Sequence, residues 1–209
     1  STAAGLESMV IGEREIAGQM RRAARTAWED GTLSCDLGRA AERASATSRR
    51  VATETGLAGA GRSVVAVGLD MAAAHLGPWA DASVLIVGTG AYAGASVSAL
   101  HALGTSDVSV YSTSGRAREF AQGRGIGWVS AADLPAALER ADLVVTCRGL
   151  GSPVLTRDMA AQAGHTVVLD LALMRDTESS VALLSNVTLI DLPTIQASVP
   201  AADADALTR

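Results

Sequence analysis

Apolar residues in the first third of the chain recur at helical spacing. Ile16, Met20, Ala23, Ala24 and Ala27 share one face of a helix predicted over 13–27, and Leu37, Ala41, Ala44 and Val51 do the same over 37–55. Gly56 stands where a glycine would end the second helix. A third helix is predicted over 62–76 from Val64, Val65, Leu69, Ala72 and Leu76, closed by Gly77-Pro78.

From Ala82 the period changes. Short apolar runs recur at 84–87, 108–111, 143–145, 166–169 and 187–190, with Ala- and Leu-rich helical stretches between most of them. A weaker run, Gly127-Trp128-Val129, is a further candidate strand. Strands that are apolar throughout and alternate with helices predict a mainly parallel sheet covered on both faces. The fold class expected is therefore α/β, a Rossmann-type doubly wound sheet preceded by a helical segment. The expected division is a helical segment over 1–77, a dinucleotide-binding domain over 82–192, and a tail over 193–209.

The first strand runs directly into Gly88-Thr89-Gly90-Ala91-Tyr92-Ala93, followed by a helical stretch. This is G-x-G-x-x-A in the strand–turn–helix setting that the motif requires. Gly88 permits the turn, Gly90 lets backbone approach a pyrophosphate, and Ala93 lets the helix pack on the sheet. The helix start offers unpaired N–H groups and a positive dipole end to phosphate. A glycine turn can also simply join a strand to a helix, but this context favours dinucleotide binding.

The second strand ends at Tyr111-Ser112-Thr113-Ser114-Gly115-Arg116, with no carboxylate for a ribose 2′-hydroxyl. Hydroxyls (Ser112, Thr113), Arg116 and nearby Arg118 lean toward a 2′-phosphate, hence NADP. The plain alternative is that both arginines begin a solvated helix.

Charge and composition narrow the classes. A net charge of -5 argues against a protein that coats nucleic acid broadly. All 17 basic residues are arginine, which fits coding bias better than a functional demand. Arg21-Arg22-Arg25 and Arg49-Arg50 are read as solvated helix faces. Two isolated cysteines predict neither a disulfide framework nor a zinc site, and point to a reducing cytoplasm. No apolar run is long enough for a membrane span, and the start reads neither as a signal peptide nor as an initiator Met. That start suggests a piece of a longer or processed chain.

Other candidates are weaker. Cys147 and Arg148 follow the strand at 143–145, on the edge where open α/β sheets bind ligands. A cationic neighbour could activate Cys147, but with no histidine nearby in sequence a buried filler is the favoured reading. Asp170 either faces the cofactor edge or, by default, caps a turn. His75, His101 and His165 are read as structural or surface residues. No metal site and no Ser/His/Asp arrangement emerges.

The stretch from Gly5 to Gln19, GLESMVIGEREIAGQ, closely resembles the GL-[DE]-S-[ML]-V-x-GE-x-QI-x-GQ signature of glutamyl-tRNA reductases. Thr53-Glu54-Thr55-Gly56, the glycine loop, the Arg116-Ala117 helix start and the Asp170–Asp176 stretch resemble that family's later elements, in order. The resemblance covers nearly the whole chain. It implies NADPH-dependent reduction of glutamyl-tRNA to glutamate-1-semialdehyde, the entry to tetrapyrroles. Ser8, Glu13, Arg14, Glu15 and Gln19 would line the glutamyl pocket, while Gly88, Thr89, Gly90, Ala91, Tyr92, Ala93, Ser112, Thr113 and Arg116 would hold NADPH. Glutamyl-tRNA is the implied partner, with a downstream aminomutase and homodimerisation of the full-length protein as further expectations.

This sequence also departs from the family pattern. The family's nucleophilic cysteine and assisting histidine precede the first motif, so no catalytic residue is assigned and the chain alone is expected to bind nucleotide without turnover. Tyr111-Ser112-Thr113 stands in place of Asn-Arg-Thr, Glu15 in place of Gln, and Met174 in place of Pro. Two other readings compete: a non-catalytic NAD(P)-binding or regulatory module of the same descent, and an unrelated shikimate dehydrogenase-like enzyme. The latter needs a Lys/Asp pair that a lysine-free chain cannot supply.

Overall fold

The computed structural model describes residues 14–54 and 64–198. The chain divides into two compact units, and the larger runs from Val65 to Ile195.

In the smaller unit, helices α1 (Arg14–Glu29) and α2 (Cys35–Glu54) pair as a hairpin. The turn between them closes on Gly31, at φ 67, with the N–H groups of Thr32 and Leu33 donating to the Ala27 carbonyl at 2.9 and 3.0 Å. Ser34 Oγ accepts from Leu37 N at 3.3 Å and satisfies one of the free donors at the start of α2. Both helices lie within two residues of where the apolar spacing puts them.

The larger unit is a six-stranded sheet, parallel at every pairing, in the order β3-β2-β1-β4-β5-β6. The strands are β1 (Ser83–Val87), β2 (Asp107–Tyr111), β3 (Gly127–Trp128), β4 (Leu143–Thr146), β5 (Thr166–Asp170) and β6 (Val187–Asp191). Every predicted run is a strand, including the weak one at 127–128. The order reverses between β1 and β4, which is the doubly wound arrangement.

Every residue of β4 and β5 is buried, as expected of central parallel strands covered on both faces. The register aligns Leu85, Val144 and Val168 on one face, packed with Leu134, Ala137 and Leu138 of α6 (Leu134–Arg140). The remaining helices of the described residues are α3 (Val64–Ala73), α4 (Ala91–Ala102), α5 (Ala117–Gln122), α7 (Arg157–Ala161) and α8 (Leu192–Ser198).

The boundary between units falls at the start of α3, between Val64 and Val65, and not in the 77–82 stretch where the composition changes. The reason is packing. Val65, Leu69 and Ala72 are buried, and Gly68 brings the α3 backbone so close to the sheet that an added Cβ would lie 2.7 Å from Leu169 Cδ1 and 3.2 Å from Ile195 Cδ1. α3 is therefore a layer of the sheet unit. It ends at Ala73, and His75 falls in the following turn, outside the helix predicted for it. The expected tail begins as α8, with Ile195 fully buried.

Candidate cofactor site

Parallel register brings the carboxyl ends of β2, β1 and β4 side by side. Gly88 N donates to the Tyr111 carbonyl at 2.9 Å, and Cys147 N donates to the Val87 carbonyl at 3.0 Å. The loop Gly88–Ala93 thus sits at the point where the strand order reverses, where open α/β sheets bind their ligands.

Its two glycines answer different demands. Gly88 has φ 134, and a Cβ there would lie 3.0 Å from Cys147 Sγ and 3.2 Å from the Cys147 carbonyl carbon and oxygen. Backbone conformation and space both require glycine. Gly90 has an ordinary extended conformation (φ -84, ψ -165), and its Cβ would meet nothing within 4 Å. It is the N-cap of α4 without a side-chain cap, and no Cβ stands in front of the turn. Ala93 is fully buried, as the close approach of α4 to the sheet demands. Thr89 is half-buried and Ala91 exposed at the mouth of the turn. A helix start of this kind is suited to an anion.

The loop after β2 is held by its own hydroxyls. Ser112 Oγ and Ser114 Oγ lie 2.9 Å apart, and Arg116 Nε donates to Ser114 Oγ at 3.1 Å. A cavity of about 390 Å³ opens beside it, lined by Tyr111, Ser112, Thr113, Arg118, Trp128 and Ser130, among others. Arg116 is exposed at the N-cap of α5, while Arg118 faces this cavity.

Two features of the edge were only partly legible in the sequence. Asp170 and Asp176 tie its loops together. Asp170 accepts from the N–H groups of Ala172 (3.0 Å), Asp176 (3.1 Å) and Thr177 (2.9 Å), so the default reading of Asp170 as a turn cap describes its contacts. Burial raises its pKa, against the lowering effect of the Ala172 and Thr177 bonds. Asp176 is fully buried and accepts from the N–H groups of Arg148 and Gly149. Its carbonyl takes those of Val154 and Leu155 at 2.7 and 3.1 Å. Arg175 pairs with Asp191 at 2.7 Å.

The second feature is Arg148. Its side chain is only 10% exposed and extends toward the β2 loop, with Nη1 3.5 Å from Thr113 Oγ1. Cys147 is the buried filler that its setting suggested. Burial first, then the Asp176 and Asp170 carboxylates, push its thiol up to about 12, far from a nucleophile's range.

The glutamyl-pocket candidates fall in the smaller unit. Ser8 and Glu13 lie outside the described residues, and Arg14, Glu15 and Gln19 are placed on α1 by backbone alone. Among the described residues no group of three His, Cys, Asp or Glu could hold a metal. No described helix is long and apolar enough to cross a membrane.

Comparison with known proteins agrees with this geometry. Residues 1–55 match the glutamyl-tRNAGlu reductase N-terminal domain, and residues 70–198 match the shikimate/quinate 5-dehydrogenase family. A glutamyl-tRNA reductase of Cutibacterium acnes is 49% identical over 95% of this chain and 45% of its own length. The chain belongs to the glutamyl-tRNA reductase family. A second such reductase, of Clavibacter michiganensis, is 46% identical over 97% of the chain and 48% of its own length. The solved glutamyl-tRNA reductase of Methanopyrus kandleri superimposes with a TM-score of 0.61 at 28% identity, covering 99% of this chain and 53% of that one. The chain thus spans about half the length of the relatives it matches. Its sheet unit has the doubly wound fold of the dehydrogenase family that it matches.

Proposed function

We propose that this chain is the cofactor-binding portion of an NADPH-dependent reductase that converts glutamyl-tRNA to glutamate-1-semialdehyde in tetrapyrrole synthesis. The observation that carries the reading is the glycine pair at the switch point. Gly88 makes the turn, and Gly90 puts no side chain between the start of α4 and a pyrophosphate. When bound, the nicotinamide supplies hydride. The chain's own residues bind and orient it. Gly88, Thr89, Gly90, Ala91, Tyr92 and Ala93 cradle the diphosphate, and Ser112, Thr113 and Arg116 surround the adenosine ribose.

NADPH is favoured over NADH because no carboxylate follows β2 to take a ribose 2′-hydroxyl or to repel a phosphate there. Ser8, Glu13, Arg14, Glu15 and Gln19 form the glutamyl pocket in this reading, and glutamyl-tRNA is the partner. In the full-length protein the same reading adds a homodimer, a cytoplasmic site of action, and hand-over of the aldehyde to an aminomutase. The competing reading is a non-catalytic NAD(P)-binding module. Its support is that Cys147, the thiol beside the glycine loop, is buried and held protonated.

Calorimetric titration of the chain with NADPH, and separately with NADH, tests the assignment. Tighter binding of NADPH is the expected result, and binding of neither would refute it.

A further inference from the structure

We propose that Arg148 is the side chain with which this protein reads the adenosine 2′-phosphate, and so tells NADPH from NADH. The inference rests on the dinucleotide reading above and adds to it the residue that sets cofactor choice.

Arg148 follows β4, two strands away from β2, so its side chain must reach across the end of β1, where the glycine loop turns. Two inter-strand spacings amount to about 10 Å, which the backbone beyond β4 and an extended arginine can bridge. Nη1 ends 3.5 Å from Thr113 Oγ1, in the loop where an NAD-binding chain would carry its ribose carboxylate. The cation therefore lies at the position that decides between a 2′-hydroxyl and a 2′-phosphate.

The guanidinium is held there but is not saturated. Nη2 donates to the Ser152 carbonyl at 3.2 Å, and the Thr113 contact is long. Nε is buried without any hydrogen-bond partner, 3.8 Å from Asp176 Oδ1. Asp176 fixes the arginine by charge, but its oxygens already take the N–H groups of Arg148 and Gly149. The Nη1 end, whose one contact is long and exposed, is where an anion would add charge-assisted hydrogen bonds. The planar guanidinium fork suits a phosphate.

Arg116 offers less. It is exposed, and its Nε is engaged by Ser114 Oγ. The hydroxyls of Ser112 and Thr113 beside Arg148 can add neutral donors to the same phosphate.

The test compares wild-type chain, Arg148→Gln, Arg148→Lys and Arg116→Gln in titrations with adenosine 2′,5′-bisphosphate and with ADP, which lacks the 2′-phosphate. Losing a charged hydrogen bond to phosphate is worth a factor of roughly 10–100. Arg148→Gln is expected to weaken the bisphosphate by that factor while changing ADP less than about twofold. Arg148→Lys, which keeps the charge and so guards against a folding defect, is expected to fall between it and wild type. The proposal is overturned if Arg148→Gln leaves the bisphosphate unchanged, if both ligands weaken equally, or if only Arg116→Gln discriminates. Wild-type chain that binds ADP while ignoring the 2′-phosphate would sink the Arg148 role and spare the dinucleotide site. Failure to bind either ligand would sink both.

Discussion

Replacing Gly88 with alanine should cost stability for two separable reasons. At φ 134 the backbone lies where side chains are strained, and a residue forced into such a region costs about 1–3 kcal/mol. The new methyl would also press on Cys147, at 3.0 Å from Sγ and 3.2 Å from the carbonyl carbon and oxygen. Overpacking of this kind costs about 1–3 kcal/mol. A total near 3–4 kcal/mol is a large share of the roughly 5–15 kcal/mol that holds a typical domain together. It should lower Tm by on the order of 12 °C, at about 4 °C per kcal/mol for a domain of this size. Urea unfolding would report the loss as a lower midpoint at unchanged slope. The second substitution Cys147→Ala removes only the sulfur contact, so the double variant should recover less than half of the loss. A Gly88→Ala chain within about 0.5 kcal/mol of wild type would refute the account of the turn. Full recovery in the double variant would show that sulfur, not backbone, sets the constraint.

Gly90→Ala should behave in the opposite way. With an ordinary φ and open space around the new methyl, unfolding should stay within about 0.5 kcal/mol of wild type, while NADPH affinity falls because the methyl occupies the phosphate's approach; unchanged affinity would remove Gly90 from the site. The cysteines should differ in labelling: iodoacetamide at pH 8 should modify exposed Cys35 in the native chain and reach buried Cys147 only after unfolding, and native modification of both would contradict that burial. Cys147 also predicts an alkaline loss of stability. Its folded pKa, about 12, lies above the usual 9.0, so above pH 9 the unfolded chain releases a proton that the folded chain retains. Stability should fall with rising pH between those values by up to about 1.4 kcal/mol per unit, and urea midpoints of Cys147→Ala should lack that extra slope.

Periodicity alone places the strands and the two N-terminal helices, because a parallel sheet covered on both faces forces runs such as Leu143–Val145 to be apolar throughout. The weak strand at 127–128 was readable for a related reason: it needed only to pair with β2 at one edge. The glycine loop was equally legible, since strand, turn and helix are consecutive in the chain and each glycine answers a local demand. The place of α3 was not. Its company is decided by Gly68 meeting Leu169 and Ile195, residues more than a hundred positions away, and no local pattern marks such a contact. Arg148 stayed obscure for the same reason. Following a strand, it reads as one more loop arginine until the reversal of strand order sets Thr113 before it and Asp176 behind it. Sequence by itself determined what is local, the periodicity, the turn chemistry and the motif order; only the tertiary structure decided which distant groups share one edge, because burial and charge depend on neighbours that the chain supplies by folding.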